Sequence, residues 1–251
     1  MIPKIIHFCW LSNDPYPEKI RVYMDRWKEI MPDFEFVHWN FDRFPMEKSI
    51  WVEQAFKCRK YAFAADYIRL YALYNYGGFY LDTDVEVLKS FEPLVNLNSA
   101  ICWQRDIAGL EVAAFGVSSH CPWIKQVLDR YENRLFIKED GTFDIEVLPE
   151  VVERCLRESN FQLKTVDSMQ EALLCQDELC IPIFTSEFFS PKSYVTKQIQ
   201  KTQNTFCVHH FEGSWLSKKE KERLEFRQKV EKKVGKGFCL KLVMKIYNFF
   251  Y

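Results

Sequence analysis

The stretch from Lys60 to Leu88 constrains this chain more than any other. Lys60 to Tyr76 carries the clearest helical pattern in the sequence. It stops at Gly77-Gly78, where a left-handed helix ending costs least. Phe79 to Leu88 then reads as a strand, with Asp82 and Asp84 two residues apart. A helix, a glycine stop and a strand carrying two carboxylates make one α/β unit.

The flanking pattern extends that unit into a sheet. Lys4 to Trp10 is a short apolar run closed by a turn-rich segment, which predicts a buried first strand. Glu18 to Ile30 has helical spacing and stops before Pro32, Phe34 to Trp39 reads as a second strand, and residues 47–57 as a helix. Alternation of strand and helix over about a hundred residues predicts an α/β fold with a doubly wound, Rossmann-like sheet. Further on, Ala100–Trp103, Val112–Val117 and Phe206–His210 read as strands. Pro122–Arg134, Ile145–Arg157 and Ser168–Gln176 read as helices.

With 251 residues, one large catalytic domain over 1–217 is expected, followed by a distinct element over 218–251. That element holds eleven Lys and Arg against four Glu, although the whole chain has a net charge of only −1. Residues 218–233 fit a solvated charged helix. Residues 236–251 set Lys236, Lys241 and Lys245 among aromatic and aliphatic side chains, a mix suited to peripheral contact with an anionic membrane. The basic residues do not flank a nucleic-acid reading module, so no nucleic-acid partner is expected.

The nine cysteines are scattered without metal-like spacing, Cys175 and Cys180 being the nearest pair. A disulfide framework is not expected, and a reducing cytosol fits better. Residues 1–15 lack the pattern of a secretory signal, and no window is apolar for the roughly 18 residues a spanning helix needs.

The chemistry centres on Asp82-Thr83-Asp84. Two carboxylates at i and i+2 on a strand share a face and can reach one hard divalent cation, Mn²⁺ or Mg²⁺. Such an ion neutralises charge on a departing diphosphate. Asp66 and Arg69 lie three residues apart on one face of the preceding helix, within an apolar stripe that includes Ala62 and Leu73. Buried there, the pair is either a local ion pair or a carboxylate and guanidinium aimed at hydroxyls and phosphate.

The run from Ala64 through Gly77-Gly78 to Asp84 resembles the core signature of the family 32 glycosyltransferases, which include mannosyltransferases and bacterial capsular polysaccharide glycosyltransferases. It is also similar to the catalytic domain of the large clostridial glucosylating toxins. Ile2 to Trp10 resembles the family's opening strand, and His209 to Trp215 its closing motif. The middle of the chain departs from the family pattern, the nearest stretch being Asp140-Gly141-Thr142-Phe143.

The resemblance implies a GT-A fold, a nucleotide-diphosphate sugar donor with UDP favoured, and retention at the anomeric carbon. It implies Asp66, Arg69 and Asp84 as catalytic residues. Donor contacts would come from Trp10, Asp66, Arg69, Tyr80, Asp82, Ser214 and Trp215, with Trp10 stacking on the base. The metal shell would be Asp82, Asp84 and His210, with His209 and Glu212 as alternatives to His210. Asp106 and Glu111 are candidates for the acceptor side. A glycan or lipid-linked acceptor and surface or capsular polysaccharide synthesis at the cytoplasmic face of a membrane follow from the same resemblance.

Two other readings compete. The apolar strand ending in Asp82 and Asp84 also resembles that of haloacid-dehalogenase-type phosphatases, but Glu86 stands where that family has Thr or Val. A non-catalytic nucleotide-sugar-binding protein is the third reading.

Overall fold

The computed structural model describes residues 1–106, 109–175, 177 and 179–213. Ser214, Trp215 and the element expected over 218–251 lie outside the described residues. A seven-stranded sheet runs in the order β2 (Glu35–Trp39), β1 (Ile5–Cys9), β3 (Gly78–Leu81), β6 (Ala114–Val117), β5 (Ser99–Cys102), β8 (Cys180–Phe184), β7 (Gln162–Val166). The pairs are parallel except where β6 runs antiparallel to β3 and β5. A second, two-stranded antiparallel sheet pairs β4 (Val85–Val87) with β9 (Cys207–His209).

Strand residues alternate between two apolar layers, as a period of two requires. Ile6, Phe8, Phe79 and Leu81 face one layer with α1 (Glu18–Ile30). Tyr80 and Val37 face the other, with α2 (Ile50–Lys57), α3 (Tyr61–Tyr76), α4 (Pro122–Asp129) and α5 (Leu148–Arg157). Helices thus cover both faces of a mixed sheet.

Helix α1 buries Ile20, Tyr23, Met24 and Trp27, the i, i+3, i+4, i+7 stripe of an amphipathic helix. Each such side chain stabilises the fold by about 1.5–3 kcal/mol when fully buried. The indole of Trp27 also donates to the Val85 carbonyl at 2.8 Å, fixing β4. Helix α3 is different. Phe63 to Asp66, Ile68 to Leu70, Ala72 and Leu73 are all buried, so the helix is enclosed almost all round and takes Asp66 and Arg69 inside with it.

Gly77 and Gly78 fix the exit from α3. Gly77 sits at φ +65° and its amide closes the helix on the Leu73 carbonyl at 2.9 Å. At Gly78, with φ +98°, a Cβ would stand 2.6 Å from the Ile5 carbonyl oxygen. Only glycine lets β3 leave the helix and lie this close to β1.

The expected strand Phe79–Leu88 is two strands. The chain leaves the main sheet after Leu81, turns with the Val85 amide on the Asp82 carbonyl at 3.0 Å, and enters the small sheet. Asp82, Thr83 and Asp84 form that turn, which a run of apolar residues on both sides conceals. The helix expected from Ile145 begins at Leu148, after an extended stretch. Residues 47–57 divide into a 3₁₀ turn, Met46–Lys48, and α2 capped by Ser49. Strands β7 and β8 were not anticipated. Cys175 and Cys180 form a disulfide, against the expectation that the cysteines stay unpaired. Among the described residues no helix is long and apolar enough to cross a membrane.

Candidate active site

A cavity of about 1350 Å³ opens along the ends of β1 and β3. Asp66, Arg69, Tyr80, Asp82, Asp84 and His209 line it, with Trp10 at one edge. It exceeds the usual span for a small-molecule pocket, roughly 300–1000 Å³.

The floor is a network anchored on α3. Arg69 donates through Nη1 to the Val112 carbonyl at 2.8 Å. Its Nη2 lies 3.1 Å from Asp66 Oδ1 and 3.4 Å from Asp82 Oδ1. The guanidinium carbon stands 4.5 Å over the Tyr80 ring, and the Tyr80 hydroxyl donates to Asp82 Oδ1 at 3.0 Å. Arg69 and Tyr80 therefore act first as struts that aim Asp82. Arg69 Nε is buried with no partner.

Burial governs the charge states here. It pushes the Asp66 carboxyl up to about 7 against the pull of Arg69. It raises Asp82 too, again opposed by Arg69, with Asp84 adding to the rise. A divalent cation placed against these carboxylates would stabilise their ionised forms.

The two histidines part company, as consecutive residues beside a strand should. His210 turns toward α1, stacks on Tyr23 with ring centroids 5.0 Å apart, and meets Glu86 Oε2 at 2.9 Å through Nε2. His209 turns toward the cavity, with Nε2 3.6 Å from Asp84 Oδ1. His209, the alternative in the sequence reading, thus stands where His210 was expected. The cause is register: Val85 pairs with His209 across β4 and β9, which sets His209 beside the turn. Glu212, the other alternative, gives its backbone amide to Asp84 Oδ2 at 2.8 Å while its carboxylate pairs with Lys19.

Asp82, Asp84 and His209 each offer a ligand atom, all within 4.8 Å of one another. Two carboxylates and an imidazole suit Mn²⁺ or Mg²⁺, so these residues fit the divalent ion that the aspartates imply. With no ion bound, burial alone would lower His209, but Glu111 and Asp84 outweigh it and raise the ring to about 9. A divalent cation on Asp82 and Asp84 would displace the Nε2 proton and leave the neutral ring as a ligand. Glu111 is fully buried beneath His209, and burial, which would raise its carboxyl, is outweighed by His209 and by hydrogen bonds. Asp106 is exposed on a left-handed backbone at φ 64°, next to Arg105 at 3.8 Å.

Trp10 packs on Tyr16 at 4.9 Å between centroids, and its indole donates to the Asp14 carbonyl. One rim of the cavity escaped sequence reasoning. Asp144 and Glu146 are held by Arg134 at 2.8 and 2.9 Å, and Arg154 grips Glu146 as well. Between and beyond them Ile145 and Val147 line the cavity, 67% and 43% exposed. Alternation of acidic and apolar residues over 144–147 was the available signal, masked by reading the segment as helix.

A family model described as a glycosyltransferase sugar-binding region containing a DXD motif matches residues 17–108. Inositol phosphoceramide mannosyltransferase 3 of Schizosaccharomyces pombe is 31% identical over 133 residues, covering 51% of this chain and 36% of that protein. Mannosyl phosphorylinositol ceramide synthase CSH1 of Saccharomyces cerevisiae is 31% identical over 101 residues, covering 39% and 27%. The matches thus span less than half the length of either relative. Among solved structures, PaToxG glycosyltransferase aligns with 21% identity and a TM-score of 0.49, covering 62% of this chain and 68% of that one. The matched region holds Asp66, Arg69, Asp82 and Asp84, and over residues 17–108 the chain is similar to the DXD-containing glycosyltransferases.

Proposed function

We propose that this protein transfers a hexose, with retention, from a nucleotide-diphosphate sugar to a hydroxyl of a lipid-linked or glycan acceptor. The observation that carries the reading is the convergence of Asp82, Asp84 and His209 inside one large cavity. A divalent ion held by these three would supply charge neutralisation for the diphosphate leaving group.

The chain's own residues account for the rest. Trp10 offers an aromatic face for the base at the cavity edge. Asp66, ionised or sharing a proton, is placed to accept from donor sugar hydroxyls and fix the ring. Arg69 and Tyr80 hold Asp82 so that little rearrangement is needed when the donor arrives. Every carboxylate lining the cavity is engaged: Asp14 with Ser12, Asp66 and Asp82 with Arg69, Asp84 with the Glu212 amide, Glu111 with Ser190. None stands free as a nucleophile among the described residues, which favours front-face displacement, with the leaving phosphate taking the acceptor proton.

The exposed Ile145 and Val147 suit an acceptor with an apolar portion, and the relatives named for ceramide substrates agree with that choice. Surface or capsular polysaccharide assembly at the cytoplasmic face of a membrane, with 236–251 as a peripheral contact, is the setting we infer. UDP-hexoses are favoured through Trp10; because the relatives are named for mannosyl transfer, mannose donors are tested beside them. The test is nucleotide release from a panel of UDP- and GDP-sugars with Mn²⁺, with and without EDTA. Metal-dependent release from one donor supports the reading. Binding of a donor without release or transfer to any acceptor would favour a non-catalytic binding protein.

A further inference from the structure

Glu111 has no exposed surface and yet carries a carboxylate. An ionised carboxylate buried this deeply is costly unless fully partnered. Its partners come from three separate segments. The Ala113 amide donates to Oε1 at 2.9 Å, and the Ser190 hydroxyl donates to Oε2 at 2.7 Å. The third partner is His209, whose Nδ1 lies 3.2 Å from Oε1 and 3.3 Å from Oε2. Nδ1 therefore sits almost equally between the two oxygens. On the other side of the same ring, Nε2 points at Asp84 Oδ1 from 3.6 Å, too far for a hydrogen bond.

A carboxylate only accepts, so Nδ1 must carry a proton to meet it. The neutral ring is then left with its lone pair on Nε2, the nitrogen that faces Asp82 and Asp84. Phe211, with its centroid 4.0 Å from the His209 ring, limits rotation away from that pose.

We propose that Glu111 is a positioning residue for the metal site: through Nδ1 it fixes the orientation and tautomer of His209, so that Nε2 is presented as a ligand beside Asp82 and Asp84. The inference rests on the Asp82, Asp84 and His209 reading above. Carboxylates that hold a ligating imidazole by its other nitrogen typically alter metal affinity by about 10–100-fold when changed.

The alternative is that Glu111 only ties three segments together. Glu111→Gln separates the two. The amide oxygen can still accept from Ala113, so the knot is largely kept. The amide nitrogen, however, donates to Nδ1, which drives the ring proton to Nε2 and blocks that lone pair. Ser190→Ala serves as the comparison, because it removes one strand of the knot without touching His209.

Mn²⁺ affinity is measured by electron paramagnetic resonance on the full chain without donor, alongside thermal unfolding. The expected result is a Kd raised about 10–100-fold in Glu111→Gln and less than about threefold in Ser190→Ala. Equal Mn²⁺ affinity in a folded Glu111→Gln protein overturns the inference and leaves the metal site standing. No Mn²⁺ binding by the wild type removes the site and the inference together. If Glu111→Gln does not fold, ¹⁵N-imidazole NMR of the Mg²⁺-loaded wild type decides. Protonated Nδ1 with unprotonated Nε2 on His209 supports the inference, and the reverse tautomer overturns it.

Discussion

His7 and Gly77 are joined by a 2.7 Å hydrogen bond from the imidazole Nε2 to the backbone carbonyl. The other nitrogen, Nδ1, accepts from the Trp39 indole at 3.1 Å, so the ring is neutral and its tautomer is set. The bond locks β1 against the glycine stop that launches the strand leading to Asp82. Burial brings the His7 pKa down from 6.5 to about 4. Because the folded value lies below the unfolded one, the unfolded chain takes up the proton first. Stability from this group is complete above about pH 6.5 and is lost as pH falls toward 4. The shift corresponds to about 3 kcal/mol. Urea unfolding at pH 7 and pH 4.5 should show this loss, and His7→Gln should flatten the dependence. An unchanged pH slope in that variant would assign the acid sensitivity elsewhere.

Gly78→Ala forces a side chain into a left-handed backbone and against the Ile5 carbonyl oxygen. We expect a loss of more than about 1 kcal/mol in chemical denaturation, with a larger proportional loss of activity because β3 must shift beneath the aspartate turn. Wild-type turnover in a destabilised Gly78→Ala would mean that the turn tolerates this displacement.

Arg69→Ala leaves Asp66 and Asp82 buried without their cation. Such breaks cost about 3–5 kcal/mol. Arg69→Lys restores a charge without the fork that reaches Asp66, Asp82 and Val112 together. It should recover part of the stability and little of the activity. Comparing denaturation midpoints with kcat for both variants checks this, and full activity in the lysine variant would contradict a bracing role.

Asp84→Asn keeps the side-chain shape and the carbonyl oxygen that can accept from the Glu212 amide. The fold should survive, with Tm within a few degrees. Turnover should fall by at least about 100-fold, with weaker Mn²⁺ dependence. Near-normal turnover would remove Asp84 from the reaction.

Ile145→Ser combined with Val147→Ser strips the apolar rim but leaves the Arg134 and Arg154 ion pairs in place. KM for a lipid-linked acceptor should rise about tenfold, equivalent to about 1.4 kcal/mol of lost apolar contact. Donor hydrolysis should be unaffected. An equal KM in wild type and variant would place the acceptor's apolar portion elsewhere.

The sequence by itself determined the elements that rest on local signals. Helix α3, its glycine stop, strands β1 and β2 and the Asp82-Thr83-Asp84 motif follow from periodicity, turn chemistry and spacing within about a dozen residues. The pairing of Asp66 with Arg69 follows from the helical repeat. What only the tertiary structure decided depends on register between distant segments. The apolar run after Gly78 gives no sign that the chain changes sheets at Asp82, because Val85 and Val87 are as buried in the small sheet as Leu81 is in the large one. Which of two adjacent histidines faces the aspartates is set by the pairing of Val85 with His209, more than a hundred residues apart. Glu111 looks like any exposed acid in the sequence and becomes fully buried only when Ser190, Ala113 and His209 close around it. The apolar rim at Ile145 and Val147 exists because Arg134 and Arg154 draw Asp144 and Glu146 the other way. Local propensity writes the elements, and long-range pairing decides which side chains meet across them.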